Sequence, residues 1–302
     1  EMVRKGYTPQ YASGITVASS TMGMIIPPSV PMIIFALVSG ESVGQLFMGS
    51  LIPGVLIGLL MLGIALVYSH LRRHPKEDIV LTTGQKLDCV KKSLWAVVMP
   101  VFVVGSVVFG VATATESAGV GALYAFLVGA FVIRELKFKQ VPALMKSSIL
   151  TSANVMIIIA FSQLYIWILA LEKVPQSLAL FVAGLDMSVP ALLLVLDVII
   201  IVTGTVVDVS PAILLLTPVF LPAAKAVGVD GIQFGAILIS GLAIGLVTPP
   251  VGMCLNVASA ISRLGIGSIF VAAAPFLLAN CIVLVLITYV PQLTLWLPSL
   301  FY

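Results

Sequence analysis

The feature that most constrains this chain is a series of long segments that carry almost no charge. Only 9% of the 302 residues are charged, whereas a soluble domain carries about 25%, and the mean hydropathy is +1.21. Apolar segments of about 18 or more residues are long enough to cross a bilayer. We therefore predict an all-α polytopic membrane protein with the lipid bilayer as its solvent. The candidate spans are residues 11–38, 51–69, 94–112, 117–133, 148–171 and 269–297.

Basic residues predict the orientation of these spans. Of the 15 Lys and Arg residues, six lie within 72–92 and four within 134–146. Short loops rich in Lys and Arg stay in the cytoplasm, so both segments are predicted to lie inside, together with Arg4 and Lys5. The spans 94–112 and 117–133 then form a hairpin whose turn lies outside.

Two further apolar regions are interrupted. Residues 232–261 break at Pro249 and Pro250, and residues 189–221 break around the sequence GTVVDVS. Two half-length helices joined by a polar tip predict a re-entrant hairpin at 189–225, which membranes admit only where protein or a cavity shields the backbone. An ordinary span followed by a surface helix is the alternative.

The chain also contains an internal repeat with an offset of 222 residues. The charge pattern places the start of the first copy inside and the start of the second outside, and inverted repeats with broken helices are typical of transporters. The second copy is preceded by the 189–225 hairpin. The chain begins EMVRKGY, so we expect it to be the later part of a longer polypeptide with a matching hairpin upstream. The matched pairs are Gly6 and Gly228, Ile15 and Ile237, Gly23 and Gly245, Pro27 and Pro249, Pro28 and Pro250, Ala36 and Ala258, and Pro53 and Pro275.

The double prolines predict a particular chemistry. Proline has no N–H for the carbonyl four residues earlier and displaces that carbonyl, so the motif frees the carbonyls of Gly23, Met24, Gly245 and Leu246. An unpaired carbonyl costs several kcal/mol in hydrocarbon, and unwound carbonyls hold Na⁺ in many transporters. The alternative is a simple proline kink whose carbonyls are satisfied by Ser or Thr hydroxyls.

Few acids lie at membrane depth. Asp208, at the hairpin tip, is a candidate for a third cation site, with a water-exposed tip as the alternative. Glu116, in TATES, fits either a helix N-terminus, where an acid complements the dipole, or a functional role. Asp197, in LLLVLDVIII, has no role that the pattern assigns. The sequence has no P-loop motif and no nucleophile–base pair, so we expect neither an enzyme nor a nucleic-acid partner.

Four stretches together resemble the large membrane subunit of TRAP (tripartite ATP-independent periplasmic) transporters: STMGMIIPPSVP, GSLIPGVLIGLL, TATESAGVGALYAFLVG and GLAIGLVTPPVGMCLNVAS. Family members often read Thr-Pro-Thr-Glu where this chain has TATE. The resemblance implies an elevator-type, Na⁺-driven importer in a bacterial inner membrane. It also implies a small four-helix membrane subunit, possibly fused upstream, and a periplasmic substrate-binding protein that delivers an organic acid such as sialic acid or a C4-dicarboxylate.

The resemblance also implies a site and a division into domains. We expect the transport domain to comprise residues 1–50 and 189–268, and the scaffold 51–147, a connecting span 148–188 and the terminal span 269–302. To the family's Na⁺ positions we add Ser20 for the cation and five polar residues for the substrate. The expected Na⁺ residues are Ser20, Gly23, Ile26, Pro28, Gly245, Thr248, Pro250 and, for a third site, Asp208. The expected substrate residues are Ser29, Thr203, Thr205, Ser210 and Asn256.

Two other classes of function remain open from the sequence. One is a Na⁺/dicarboxylate elevator carrier that takes free substrate without a binding protein. The other is a channel or a membrane scaffold. A scaffold would not need two inverted broken helices and a polar hairpin tip, and a channel would more often show a continuous polar or charged lining, which the sequence lacks. The sequence does not identify the organic acid, the Na⁺ stoichiometry or the oligomeric state.

Overall fold

A computed structural model describes residues 2–72, 82–183 and 188–302. Within these ranges all regular structure is helical, and seven segments are long and apolar enough to cross a membrane. By the length and composition of these helices, the chain is a multi-pass membrane protein. Part of the predicted basic loop 72–92 and the end of the predicted span 148–188 lie outside the described residues.

The chain divides into two compact units, Glu1–Pro75 with Ile159–Tyr302 and Lys76–Ile158. The first seven helices are α1 (Pro9–Ser20), α2 (Met22–Ile25), α3 (Val30–Ser39), α4 (Val43–Arg72), α5 (Thr83–Val108), α6 (Ala114–Leu127) and α7 (Val141–Leu171). The last seven are α8 (Val174–Ala183), α9 (Val189–Val206), α10 (Val209–Ala226), α11 (Gly231–Gly245), α12 (Met253–Ser262), α13 (Ile266–Tyr289) and α14 (Gln292–Leu295).

Three element bounds differ from the sequence prediction. The second half of the predicted basic loop, from Thr83, is already the start of α5. Helices α9 and α10 have 18 residues each, so the expectation of half-length helices was wrong. Only Val207 and Asp208 lie between the two helices, and the hydroxyls of Thr203 and Thr205 donate to carbonyls within α9. The last span is shorter than predicted and ends at Tyr289, before Pro291.

The internal repeat is present in the structure as well as in the sequence. Helices α1 and α11 begin 222 residues apart, and α3 and α12, like α4 and α13, begin 223 residues apart. Gly6 and Gly228 precede α1 and α11 with φ of 90° and 87°. Gly40 and Arg263 end α3 and α12 in the left-handed region, with φ of 75° and 57°. The two copies therefore share turns and caps in addition to motifs.

The long helices α4 and α13 run antiparallel. Near the end of α4 and in the first half of α13, the rings of Tyr68 and Phe276 lie 6.4 Å apart. Near the start of α4, a Cβ placed on Gly49 would lie 2.9 Å from the carbonyl of Thr294, which follows α13. The α4–α13 pair therefore has two distinct ends, one at Tyr68 and Phe276 and the other at Gly49 and Thr294. The direction of each broken helix follows from the end at which it begins.

The two broken helices start at opposite ends of this pair. Helix α1 begins beside Tyr68 and Phe276, whose rings lie 5.9 and 6.0 Å from that of Tyr11. Helix α11 begins at the other end, where a Cβ on Gly49 would lie 2.7 Å from Cγ2 of Ile232. The predicted inversion of the repeat is therefore confirmed.

Small residues allow the broken helices to pack closely. A Cβ on Gly54 of α4 would lie 2.5 Å from Cγ1 of Ile26, and one on Gly58 would lie 2.9 Å from Cε of Met22. A Cβ on Gly241 of α11 would lie 2.7 Å from Cγ2 of Ile200. These glycines therefore allow the close approach of neighbouring helices that small residues provide in membrane proteins.

Residues 76–158 contain the predicted hairpin of α5 and α6. The hydroxyls of Ser106 and Ser117 lie 2.8 Å apart near the turn, and Tyr124 donates to the carbonyl of Trp95 at 2.9 Å farther along. Glu116 forms a capping box with Thr113, whose N–H donates to Glu116 Oε2 at 2.8 Å. The helix N-terminus predicted for Glu116 is therefore confirmed, and the carboxylate satisfies a terminal N–H.

Candidate functional site

The first break separates α1 from α3. After the single turn of α2, Ile26 and Ser29 are extended, with φ/ψ of −78°/126° and −125°/125°, and the Pro27–Pro28 peptide between them is cis. A Cβ on Gly23 would meet no atom within 4 Å. The backbone around Gly23 is therefore open on one side.

The freed carbonyls of the first break are treated differently. Pro27 has no N–H to donate to the carbonyl of Gly23. The carbonyl of Met24 instead accepts a hydrogen bond from the Ser29 hydroxyl at 2.5 Å, and Ser29 is buried. One of the two carbonyls predicted to be unpaired is thus satisfied by a neighbouring hydroxyl.

At the second break both predicted carbonyls accept hydrogen bonds. The carbonyl of Gly245 accepts from the N–H of Thr248 at 2.9 Å, and that of Leu246 accepts from the N–H of Cys254 at 3.2 Å. The expectation that these carbonyls are left unpaired was therefore wrong, because a tight turn and the first turn of α12 supply donors. Each carbonyl keeps a second lone pair, so a cation is compatible with the break but is not required to satisfy it.

The hairpin tip packs against the second break. A Cβ on Gly245 would lie 2.5 Å from the backbone of Gly204, and one on Gly204 would lie 2.8 Å from the carbonyl of Leu242. The carbonyl of Thr205 accepts hydrogen bonds from the N–H groups of Val251 and Gly252, both at 3.2 Å. The backbone of α9 therefore holds the turn that follows Pro250.

A cavity of about 330 Å³ lies where the C-terminal half of α1, the hairpin tip and the second break meet. Its polar groups are few. Asp208 caps α10 by accepting from the N–H of Val209 at 2.9 Å through Oδ1. The cavity thus draws on both copies of the repeat and on the hairpin between them. It is lined by Thr16, Val17, Ser20, Asp208, Leu246, Met253, Cys254, Val257, Ala258 and Ile261.

Three hydroxyls at the site share one arrangement, in which each donates its proton to a backbone carbonyl of its own segment. Ser20 donates to Val17 at 2.7 Å, Thr205 to Val202 at 2.7 Å and Thr248 to Ile244 at 2.8 Å. A hydroxyl has one proton and two lone pairs, so these oxygens can only accept from, or coordinate, a further group. The same holds for Thr16, Ser29 and Thr203.

Of the residues predicted for the site, the cavity brings together Ser20 and Asp208. The other predicted residues lie at the two breaks and on the hairpin: Gly23, Ile26, Pro28 and Ser29 at the first; Gly245, Thr248 and Pro250 at the second, with Asn256 on α12; and Thr203, Thr205 and Ser210 beside the hairpin tip. Sequence reasoning missed Thr16, Cys254 and the carbonyl of Thr205. Thr16 lies one helical turn before Ser20, a spacing that could have indicated it.

These features define a polytopic membrane transporter built from an inverted repeat, with two broken helices and an apolar hairpin whose tip lies against the second break. The family profile described as "Tripartite ATP-independent periplasmic transporter, DctM component" matches residues 1–293. The chain belongs to this DctM family of TRAP transporter components.

Three relatives illustrate the range of the family. The C4-dicarboxylate TRAP transporter large permease protein DctM of Pseudomonas aeruginosa is 34% identical over 99% of this chain and 70% of its own length. The sialic acid TRAP transporter large permease protein SiaM of Vibrio cholerae is 33% identical, over 98% and 69%. The isethionate TRAP transporter permease protein DctMQ of Oleidesulfovibrio alaskensis is 34% identical, over 98% of this chain and 46% of its own length.

Proposed function

We propose that this chain is the large permease of a Na⁺-driven TRAP transporter that imports an organic acid anion. The observation that carries the proposal is the cavity in which Ser20, Asp208 and the second break meet. The relatives are named for C4-dicarboxylates, sialic acid and isethionate, and all three are organic acid anions. A cavity of about 330 Å³ is at the lower end of the usual size of small-ligand sites, about 300–1,000 Å³.

The oxygen groups of the site support Na⁺ as the coupling ion. Ser20 and Thr16 donate their protons to backbone carbonyls at 2.7 Å, so only their lone pairs remain for an ion in the cavity. Asp208 adds a carboxylate. The Na⁺ ions are cargo that enters with the acid, and Gly23, Ile26, Pro28, Gly245, Thr248 and Pro250 are the other residues proposed to hold them.

The lining of the cavity limits how a carboxylate or sulfonate could be held. Among the described residues that line it there is no Lys, Arg or His, and its hydroxyls donate to backbone carbonyls. Met253 and Cys254, the first residues of α12, line the cavity, and helix N-termini favour anions. We therefore assign recognition of the acid group to the N-terminus of α12 and to the bound cations.

Membrane energetics fit the same proposal. Moving one negative charge into an inside-negative cell costs about 2.3 kcal/mol per 100 mV, and each entering Na⁺ returns the same amount. One Na⁺ therefore only cancels the electrical cost of a monovalent acid, apart from its own gradient. Two or three ions concentrate the acid strongly.

An elevator movement is part of the proposal. The expected transport segments 1–50 and 189–268 contact each other directly, because α10 packs on α3. Lys225 at the end of α10 pairs with Glu41, just after α3, with 2.7 Å between Nζ and Oε1. These contacts support movement of the two segments as one body.

The partners are proposed from the family. A small four-helix membrane subunit and a periplasmic substrate-binding protein would complete the transporter. One relative carries the combined name DctMQ and is about twice as long as its matched part, which supports fusion of the small subunit in some members.

Uptake into proteoliposomes that hold the complete transporter tests the proposal. Labelled succinate, sialic acid and isethionate are supplied with and without Na⁺, membrane potential and candidate binding proteins. We expect uptake of one acid that requires both Na⁺ and its binding protein. Na⁺-dependent uptake of free acid would instead indicate a carrier without a binding protein. Uptake that is independent of Na⁺ would refute the assignment of cation sites.

A further inference from the structure

Asp197 lies inside α9, away from the cavity and the hairpin tip. It is the only ionisable residue in the helix, and its side chain is 5% exposed. The site described above makes no use of it. A carboxyl group at this depth is expensive to ionise unless a partner is present.

Among the described residues, one side chain makes a polar contact with the carboxyl group of Asp197. The hydroxyl of Thr288 on α13 lies 3.0 Å from Oδ2 of Asp197. Oδ1 is buried and has no hydrogen-bond partner among the described residues. Gln233 of α11 is also buried nearby, but its amide N–H groups donate to the carbonyls of Ile287 and Thr288, at 3.0 and 3.1 Å.

The single proton of the Thr288 hydroxyl favours a neutral Asp197. The Thr288 hydroxyl also lies 2.8 Å from the carbonyl of Leu284, four residues earlier, and a carbonyl can only accept. The hydroxyl has a single proton. If that proton goes to Leu284, the contact between Thr288 and Asp197 needs a proton from Asp197. A neutral Asp197 donates to Thr288, which donates to Leu284, and both bonds form.

Charged groups on the helices packed against α9 do not compensate an ionised Asp197. Helices α11 and α13 contain no Lys, Arg, His, Asp or Glu, and their titratable side chains are Cys281 and Tyr289, both on α13. Tyr289 donates to the carbonyl of Pro190 at 3.0 Å. On α10, Lys225 pairs with Glu41. The carboxylates at the N-caps of α10 and α11, Asp208 and Asp230, accept backbone N–H groups of their own helices.

The surroundings of Asp197 are better suited to binding a proton than to binding a metal cation. Hard cations take several oxygen ligands at once, whereas the described contacts of the Asp197 carboxyl consist of one hydroxyl. A proton needs one acceptor, and Thr288 provides it. Leaving an ionised carboxylate with a bare Oδ1 would cost far more than leaving the carbonyl oxygen of a neutral acid in the same position.

We propose that Asp197 is a proton-binding site, and that its neutral carboxyl joins α9 to α13 through Thr288. Loss of the proton places an unpaired charge where α9 packs on α11 and α13. This charge weakens the packing of α9 on the other two helices. The hairpin that holds the second break is therefore sensitive, through α9, to a rise in pH that removes this proton. This proposal does not depend on Na⁺ coupling or on the identity of the transported acid.

Infrared spectroscopy of the protein in lipid, compared between wild type and variants, tests the proposal. At neutral pH we expect the C=O stretch of a protonated carboxyl in the wild type and its complete loss in Asp197→Asn. Asp208→Asn is the matched control and should keep the band. Thr288→Val should shift the band to higher wavenumber, because the carboxyl loses its acceptor.

Thermal stability provides an independent readout. Asn imitates the neutral acid and does not ionise on unfolding, so Asp197→Asn and the wild type should be equally stable at acidic pH, where Asp is protonated in both the folded and the unfolded state. As the pH rises above about 4, the unfolded Asp ionises, and the wild type should lose stability that Asp197→Asn keeps. If Asp197→Asn does not fold, the pH titration of the wild-type band and its shift in Thr288→Val still test the proposal. Identical spectra of wild type and Asp197→Asn would overturn it, as would a band that disappears when choline is replaced by Na⁺ at constant pH.

Discussion

The two breaks have the same Gly-x-x-x-Pro-Pro spacing but different surroundings. At the second, Gly245 is buried, and the backbone of Gly204 occupies the space that a Cβ would need. At the first, Gly23 is exposed and faces open space. The motif therefore determines where a helix opens, while the elements packed on it determine how firmly the opening is held. The hairpin α9–α10 holds the backbone of the second break in one conformation.

The largest contrast is expected for alanine at the two motif glycines. In Gly245→Ala the new methyl group meets backbone that cannot move aside, so we expect a loss of stability near the upper end of about 1–3 kcal/mol. Gly204→Ala should behave similarly. Thermal unfolding in detergent or lipid measures the effect.

Gly23→Ala is the matched control, because its methyl group meets nothing within 4 Å. It should stay within about 0.5 kcal/mol of the wild type. Equal destabilisation by Gly23→Ala and Gly245→Ala would contradict the difference between the breaks.

Removal of one hydroxyl at each break tests the difference between the two breaks with a second kind of substitution. In Ser29→Ala the carbonyl of Met24 loses its part-buried hydrogen bond from Ser29, and Pro28 has no N–H to replace it. We expect a cost of about 1–3 kcal/mol. In Thr248→Val the carbonyl of Ile244 keeps the N–H of Val247 at 3.1 Å, so the cost should be smaller. Unfolding of both variants checks the order, and a larger loss for Thr248→Val would contradict it.

Exchange of an acid for its amide tests the cavity at the second break. Asp208→Asn removes a charge but keeps the helix cap, since Asn caps as well as Asp. We expect the Na⁺ concentration for half-maximal uptake to rise about tenfold, which corresponds to 1.4 kcal/mol, with little change in stability.

Asp230→Asn is the control for Asp208→Asn, because Asp230 caps α11 by accepting from Ile232 at 2.7 Å and does not line the cavity. Its Na⁺ dependence should equal that of the wild type. An unchanged Na⁺ dependence in Asp208→Asn would remove Asp208 from the cation site.

The smallest effect concerns the ends of the second half-helices. Arg263 has φ of 57° where the equivalent Gly40 has 75°, and the left-handed region favours glycine. Arg263→Gly should therefore raise stability by up to about 1 kcal/mol, whereas Gly40→Ala should lower it by a similar amount. Destabilisation by Arg263→Gly would show that its side chain matters more than its backbone.

Much of the fold could be predicted from the sequence, because apolar length and the spacing of glycine and proline are local signals. The breaks at Pro27 and Pro249, the offset of the repeat and the cap at Glu116 follow from such signals. The partners of the freed carbonyls could not be predicted, since Ser29 reaches Met24 through a particular turn and Cys254 reaches Leu246 only once α12 has been placed. The contact between Asp197 and Thr288 joins residues 91 positions apart, so no local pattern indicates it.

Sodium flux measured together with acid uptake tests whether the two breaks and the hairpin tip hold the coupling ions. Radioactive Na⁺ and the labelled acid are followed in the same proteoliposomes containing the complete transporter and its binding protein. We predict that at least two Na⁺ ions enter with each molecule of acid in the wild type, and fewer in Asp208→Asn. Acid uptake without any accompanying Na⁺ entry would contradict the account.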